Sequence, residues 1–222
     1  MDAHSGTREW YFEGGREDML RFLPPGMKSI LDVGCASGNF LAAVGPGVYR
    51  VGVEPDAAAC ARARGKVDEC FNASFDEAMV RTLEARASHN RFDCIAFNDV
   101  LEHLVDPWGA VKLARRLLTP QGVVIASIPN FLFYSNIANM LRTMDVRYES
   151  AGIMDATHLR FFSKKSMVRM FEEAGYEVVR IEGISTAASL KFRILNALLL
   201  NAITDLRHMQ FAIVARPRGP AA

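Results

Sequence analysis

The chain has 222 residues, half of them apolar, enough to bury a substantial core, and one domain spanning 1–222 is the default expectation. Lys and Arg together number 26 against 25 for Asp and Glu, so the formal charge of +1 gives no electrostatic case for nucleic acid or an anionic membrane as partner. Four cysteines without C-x-x-C spacing, no signal-peptide pattern and no apolar run near the roughly 18 to 20 residues that span a bilayer predict reduced thiols in a soluble, cytoplasmic protein.

In chain order, the first expected element is a helical flank over 8–23 that carries Trp10, Tyr11 and Phe12, followed by the turn Pro24-Pro25-Gly26. Short apolar runs then alternate with helical patterns, which is the signature of a parallel sheet covered by helices. Strands are predicted at Ser29 to Val33, Tyr49 to Glu54, Val67 to Phe71, Phe92 to Phe97, Val123 to Ile128, Tyr176 to Gly183 and Gln210 to Ala215. Helices are predicted near Phe40 to Val44, Ala57 to Arg64, Glu77 to Ala87, Pro107 to Leu118 and Lys164 to Ala174. Asp106 before Pro107 reads as a cap, and Ser163 caps a helix that stops at Gly175. The stretch 130–162 is an insertion outside this alternation, where such folds carry specificity. Phe192, Leu195, Leu198, Leu199 and Ile203 form an apolar stripe at helical spacing, expected to pack in the fold or at a dimer contact rather than on a membrane. Monomer and homodimer both remain open.

The run Ile30-Leu-Asp-Val-Gly-Cys-Ala-Ser-Gly-Asn-Phe40 passes from a strand through an acid into a glycine loop and a helix. Glycines let such a loop turn sharply and approach a ligand, and the helix start offers unpaired N–H groups. A dinucleotide site reading G-x-G-x-x-G from Gly34 would need glycines where Ala36 and Asn39 stand. Asp32 would also repel a pyrophosphate, whereas it suits the sulfonium and ammonium groups of S-adenosylmethionine. A nicotinamide-dependent oxidoreductase is disfavoured on the same grounds. Twenty positions beyond Gly34, Glu54 ends the second strand beside the loop and can accept both ribose hydroxyls; the plainer alternative is a solvated acid opening the next helix. Asn98 and Asp99, at the end of the fourth strand, are expected near the methionine part of the ligand. Ser74, after the third strand, is placed near the adenine, with an ordinary turn as the competing reading.

Three motif blocks, Leu31-Asp-Val-Gly-Cys-Ala-Ser-Gly38, Asn98-Asp-Val-Leu-Glu-His-Leu-Val-Asp-Pro-Trp108 and Ser127-Ile-Pro-Asn130, resemble the class I S-adenosylmethionine-dependent methyltransferases. A fourth, Gly152-Ile-Met-Asp-Ala-Thr-His-Leu-Arg-Phe-Phe-Ser163, is similar to the bacterial group that includes ubiquinone-biosynthesis-type O-methyltransferases and enzymes associated with surface-glycan genes. The resemblance runs from about Tyr11 to Ala215. It implies a Rossmann-like α/β fold with a seven-stranded, mostly parallel sheet, helices on both faces, and S-adenosylmethionine as methyl donor. Asp32, Gly34, Cys35, Gly38, Glu54, Ser74, Asn98 and Asp99 make up the expected cofactor set, although the acidic residue that the family often carries after the third strand is not evident at Ala73 or Ser74. Ala36 departs from the usual middle glycine, a mild change if its φ stays negative.

Methyl transfer is an in-line displacement on an activated sulfonium, so the protein must align the nucleophile and exclude water. A hydroxyl of a small molecule or saccharide also needs a base, and His158 is the first candidate, with Asp155 to orient its ring. Tyr11, Asn130 and Arg160 are candidate acceptor contacts. The plainer reading is that Asp155, His158 and Arg160 tie the insertion to the domain, and that Tyr11 is core. His103 competes as base: on a helical turn it would share a face with Asp99 and Glu102, a set able to hold a divalent cation. That metal reading is the less favoured one beside simple packing of His103. The alternatives to O-methylation are N- or C-methylation and a non-catalytic module that only binds S-adenosylmethionine.

Overall fold

A computed structural model describes residues 15–219. Its strands, in chain order, are β1 (Ser29–Val33), β2 (Tyr49–Val53), β3 (Glu69–Phe71), β4 (Phe92–Asn98), β5 (Leu118–Pro129), β6 (Tyr176–Thr186) and β7 (His208–Pro217). The helices are α1 (Asn39–Ala43), α2 (Ala57–Ala63), α3 (Glu77–Glu84), α4 (Pro107–Arg116), α5 (Tyr134–Thr143), α6 (Lys164–Glu173) and α7 (Leu190–Leu198). The strands form one sheet in the order β3-β2-β1-β4-β5-β7-β6. All neighbours are parallel except β7, which runs antiparallel between β5 and β6.

All five residues of β1 are buried, the burial expected of a central parallel strand covered on both faces. Alternation along the strands divides the core in two. Leu31, Val33, Ile95 and Phe97 pack with Val80, Leu83, Val111, Met167 and Phe171 of α3, α4 and α6. Ile30, Cys94 and Ala96 meet Met19, Phe22, Phe40 and Leu41 on the opposite side. The caps are where the sequence places them: Asp106 accepts from the Gly109 N–H at 2.9 Å, and Ser163 closes a capping box with Ser166. Gly175, at φ +85°, ends α6.

Because β1 and β4 are sheet neighbours while the chain visits β2 and β3 between them, the loops after β1 and β4 diverge at the carboxyl edge. Such a switch point opens a crevice where ligands bind in open α/β sheets.

Three expectations change. Of the helical flank, the described part is a single 3-10 segment, Glu17–Phe22, which buries Met19 and Phe22; Trp10, Tyr11 and Phe12 lie outside the described residues. The insertion contains a helix, α5, that the sequence reading did not assign, and none of its residues is fully buried. Phe192, Leu195 and Leu198 of the apolar stripe lie on α7 while Leu199 and Ile203 fall beyond its end, and of the five only Phe192 is buried, its ring tilted against that of Tyr134 at 4.6 Å between centroids. Leu195, Leu198 and Leu199 are exposed, so the predicted packing within the fold is not what these side chains do. No helix among the described residues is long and apolar enough to cross a membrane.

Candidate active site

The glycine loop leaves β1 still tied to β2, since the Gly34 N–H donates to the Val53 carbonyl at 2.8 Å. Gly34 has φ +71°, and a Cβ there would lie 2.6 Å from Cγ2 of Val100, so both backbone and space demand glycine. Gly38, at φ +76°, opens α1 against Ala63 of α2, whose Cβ would stand 3.1 Å from an added methyl. Ala36 corrects the expectation of a negative φ: it sits at +48°. A left-handed alanine costs roughly 1–2 kcal/mol, and in this position its N–H donates to Oε2 of Glu54 at 2.9 Å. Cys35 turns its thiol beneath the loop, 3.9 Å from Sγ of Cys70.

Three polar groups gather around this loop. Asp32 is 2 % exposed and its Oδ1 has no hydrogen-bond partner in the protein. Burial, reinforced by the negative charge of Glu54, holds its carboxyl well above the usual carboxylate range. Glu54 is also buried and raised by desolvation, although it accepts from the N–H groups of Ala36 and Asp56 at 2.9 and 2.8 Å. Two carboxylate oxygens offer about four acceptor directions, so capacity for further donors remains. The Asn72 amide braces this corner by donating to the carbonyls of Glu54 and Pro55, each at 2.9 Å. Asn98, at the end of β4, has both amide atoms buried without a partner. Buried polar atoms are nearly always satisfied, so orphans clustered at a crevice are the mark of a ligand site. Ser74 lies exposed on the turn after β3.

Beyond β4 the chain departs from the helical turn expected over Asp99, Glu102 and His103. Asp99 adopts φ +55°, and only Leu101–His103 is helical, as a 3-10 turn. The three side chains therefore do not form the predicted set. Oδ1 of Asp99 accepts from Ser127 Oγ at 3.1 Å and Gln210 Nε2 at 2.9 Å, while Oδ2 pairs with Arg16. His158 takes the place expected for Asp99: ligand atoms of Glu102, His103 and His158 all lie within 4.8 Å of one another. Glu102 is 1 % exposed with both carboxyl oxygens unpartnered, and burial keeps it protonated well above the ordinary range. The rings of His103 and His158 meet edge to face at 4.7 Å. Desolvation, with the second imidazole adding to it, lowers the His103 pKa.

The His158 ring is oriented by a carbonyl rather than by Asp155. Its Nδ1 lies 3.0 Å from the Ile153 oxygen, which can only accept, so Nδ1 carries the proton and Nε2 of the neutral ring bears the lone pair. Asp155 instead accepts from the N–H and hydroxyl of Thr157 at 2.7 and 2.6 Å, because the intervening turn aims its carboxylate back at its own segment. Arg160 donates to the carbonyls of Val105 and Leu159, and the buried Asn130 amide donates to the carbonyls of His208 and Asp205. Both candidate acceptor contacts are thus engaged with backbone. Tyr11 lies outside the described residues. Arg16, Ser127 and Gln210 are site residues that the sequence reading did not select. Ser127 stood in a recognised motif, but Arg16 and Gln210 are 83 and 111 positions from Asp99 and carry no local signal. Arg16 and Gln210, together with Arg21, Glu182 and Thr186, line an open cleft of about 690 Å³.

A family model described as a methyltransferase domain matches residues 8–181, most of the chain. The chain belongs to the S-adenosylmethionine-dependent methyltransferases. The methyltransferase is 29% identical over 162 residues to the ubiquinone biosynthesis O-methyltransferase of Thiobacillus denitrificans, an alignment covering 71% of this chain and 68% of that one. The corresponding enzyme of Burkholderia pseudomallei is 25% identical over 163 residues with the same coverage. A crystal structure of an S-adenosylmethionine-dependent methyltransferase from Archaeoglobus fulgidus superposes with a TM-score of 0.66 at 19% identity, covering 96% of this chain and 99% of the other, and bears on the fold alone. Membership of this family implies S-adenosylmethionine as the methyl donor. The orphaned Asp32 and Asn98 atoms suit it, since a cationic, phosphate-free ligand satisfies a buried carboxyl that a pyrophosphate would oppose.

Proposed function

We propose that this methyltransferase methylates a hydroxyl group of a small-molecule or saccharide acceptor. S-adenosylmethionine, when bound, supplies an activated methyl group on its sulfonium. In this reading Gly34, Cys35 and Gly38 shape the backbone around the donor. Asp32 faces its positive charge, Glu54 accepts from the ribose hydroxyls, and Asn98 contributes its amide. Ser74 borders the adenine. Asp99 acts at one remove, holding Arg16 and Gln210 at the edge of the cleft.

The observation that carries O-methylation is the pair of imidazoles beside a buried, uncharged carboxyl. A hydroxyl must lose its proton during transfer, and a neutral imidazole is the side chain suited to accept it near pH 7. His158, with Nε2 as its basic atom, is the base in this reading, and His103 is its neighbour. Burial and the neighbouring imidazole lower the His103 pKa, which favours the neutral form of that ring. Methyl transfer assayed against a panel of hydroxylated acceptors by mass spectrometry should fall about 10²–10⁴-fold in His158→Ala, with the cofactor affinity unchanged. Undiminished turnover in that variant would remove His158 from the mechanism. If only amines or activated carbons are methylated, O-methylation is wrong while the family assignment stands.

The same three residues favour one second reading. Glu102, His103 and His158 offer one oxygen and two nitrogen ligands within 4.8 Å, a donor set suited to a divalent transition ion that would acidify the acceptor hydroxyl. Dialysis against a chelator separates the two readings: loss of turnover restored by added metal favours the ion, and retained turnover favours the free base.

A further inference from the structure

Three of the four cysteines meet beneath the glycine loop although they come from three different elements. Cys60 on α2 and Cys70 on β3 place their sulfurs 2.7 Å apart, against about 2.05 Å for a disulfide bond. Cys35, from the loop itself, lies 3.9 Å from Cys70 on its other side. Space for the cluster is made by Gly52 of β2, the register partner of Cys70. A Cβ on Gly52 would stand 2.4 Å from the Cys35 sulfur and 3.5 Å from that of Cys70. Cys94 is buried on β4, whose register partner at that position is Ile30, and it takes no part in the cluster. All four are free thiols.

We propose that Cys60 and Cys70 form an oxidisable dithiol, a modification site at which a hydroperoxide converts the two thiols to a disulfide linking α2 to β3 behind the cofactor loop. The two sulfurs differ in access, Cys70 being half-buried and Cys60 fully buried, which assigns their roles. The difference in acidity agrees: hydrogen bonds from Cys35 and Cys60 and the charge of Arg64 draw the Cys70 thiol down to about 7, while burial pushes Cys60 up to about 11. The Cys70 thiolate attacks the outer peroxide oxygen, the O–O bond breaks, and Cys70 becomes a sulfenic acid as hydroxide or alkoxide leaves. The Cys60 sulfur then attacks the sulfenic sulfur, the S–O bond breaks, and the Cys60 proton departs with the hydroxyl as water. Two electrons pass from the thiols to the peroxide. With 2.7 Å between the sulfurs of Cys60 and Cys70 against 3.9 Å between those of Cys35 and Cys70, the native geometry favours the first pairing.

The test treats the full chain in its native state with a slight excess of hydrogen peroxide and measures free thiols, intact mass and non-reduced peptide maps. Expected are two thiols lost of four, a mass lower by two hydrogens, a Cys60–Cys70 cross-linked peptide, and reversal by dithiothreitol. Cys94→Ser should leave all of this intact. Cys70→Ser should abolish the cross-link, and Cys60→Ser should leave a sulfenic acid at Cys70 that a dione probe captures. Four thiols surviving the treatment, a cross-link through Cys35 or Cys94, or direct over-oxidation without a disulfide would each overturn the proposal. None of these readouts depends on the acceptor or on the base assigned above.

Discussion

The region around the glycine loop and the segment between β5 and α6 sit at the same edge of the sheet but are made of opposite materials. Around the loop, β1 is wholly buried, Gly34, Gly38 and Gly52 are demanded by close packing, and the polar groups left over are buried orphans. In the other segment, α5 buries no side chain, Met144 is 85 % exposed, and the ordered polar groups spend their hydrogen bonds on nearby backbone. The first surface is close-packed on every side. The second exposes most of α5 and of the stretch that follows it, while Asn130, Met154, Asp155, His158 and Phe162 anchor its two ends in the fold.

That contrast can be broken most severely at Gly34. Gly34→Val forces a β-branched residue into φ +71° and against Val100, combining backbone strain of about 1–3 kcal/mol with overpacking of about 1–3 kcal/mol. Denaturant unfolding and cofactor titration should both register it. A variant within 1 kcal/mol of the parent would mean that the loop rebuilds freely and is not the close-packed element described.

A smaller effect is expected at Glu54. Glu54→Ala should weaken S-adenosylmethionine binding by about 1.5–3 kcal/mol, the scale of hydrogen bonds to a charged group, as read by calorimetry. Unchanged affinity would remove Glu54 from the ribose. Because this side chain also holds the Ala36 N–H, a drop in stability should accompany the loss of binding.

Glu102 sharpens the comparison because it lies where the two regions meet, its carbonyl accepting from the N–H groups of Leu159 and Arg160. Its folded pKa is raised, so the folded protein holds the proton more tightly than the unfolded chain does. Stability therefore falls as pH rises from the ordinary carboxyl range, about 4.3, toward the folded value, each unit of separation being worth about 1.4 kcal/mol. Glu102→Gln removes this dependence. The variant should be more stable than the parent at pH 8 and should lose that advantage near pH 4 in parallel thermal melts; a parent and variant with superimposable pH profiles would show that Glu102 is not buried as a neutral acid.

The mildest prediction concerns α7. Leu198 is 75 % exposed, and Leu198→Ser should change stability by no more than about 0.5 kcal/mol. A larger loss in the isolated protein would reveal that a contact covers this helix in solution.

Much of the frame was readable in advance because period and punctuation are local properties. Ser29 to Val33 forms a strand with the bounds expected, and Asp106, Ser163 and Gly175 mark helix ends through hydrogen bonds and φ values that span a few residues. The sheet strands β5 and β7 run further than their apolar runs, since Leu118 pairs with Phe92 of β4 and the two ends of β7, His208 and Pro217, pair with Thr186 and Tyr176 of β6. The site was less legible. The rule that residues three and four apart share a face requires a helix, and Asp99 at φ +55° breaks it, sending that carboxylate to Ser127 and Gln210 while His158 joins Glu102 and His103. Asp155 and Arg160 have the chemistry of a site, yet Asp155 accepts from the hydroxyl and N–H of Thr157 and Arg160 donates to the carbonyls of Val105 and Leu159, partners that a linear reading does not count.

From its sequence alone the chain declares an α/β sheet, an acidic glycine loop and the carboxylate twenty residues beyond it, because each depends on residues that are neighbours along one strand, turn or helix. The tertiary structure decided what those groups face: the left-handed Ala36 held by Glu54, the Arg16–Asp99–Gln210 junction, the two imidazoles over a buried acid, and three thiols drawn together under one loop. These contacts join segments many residues apart, and only the closing of the sheet brings them within hydrogen-bond distance.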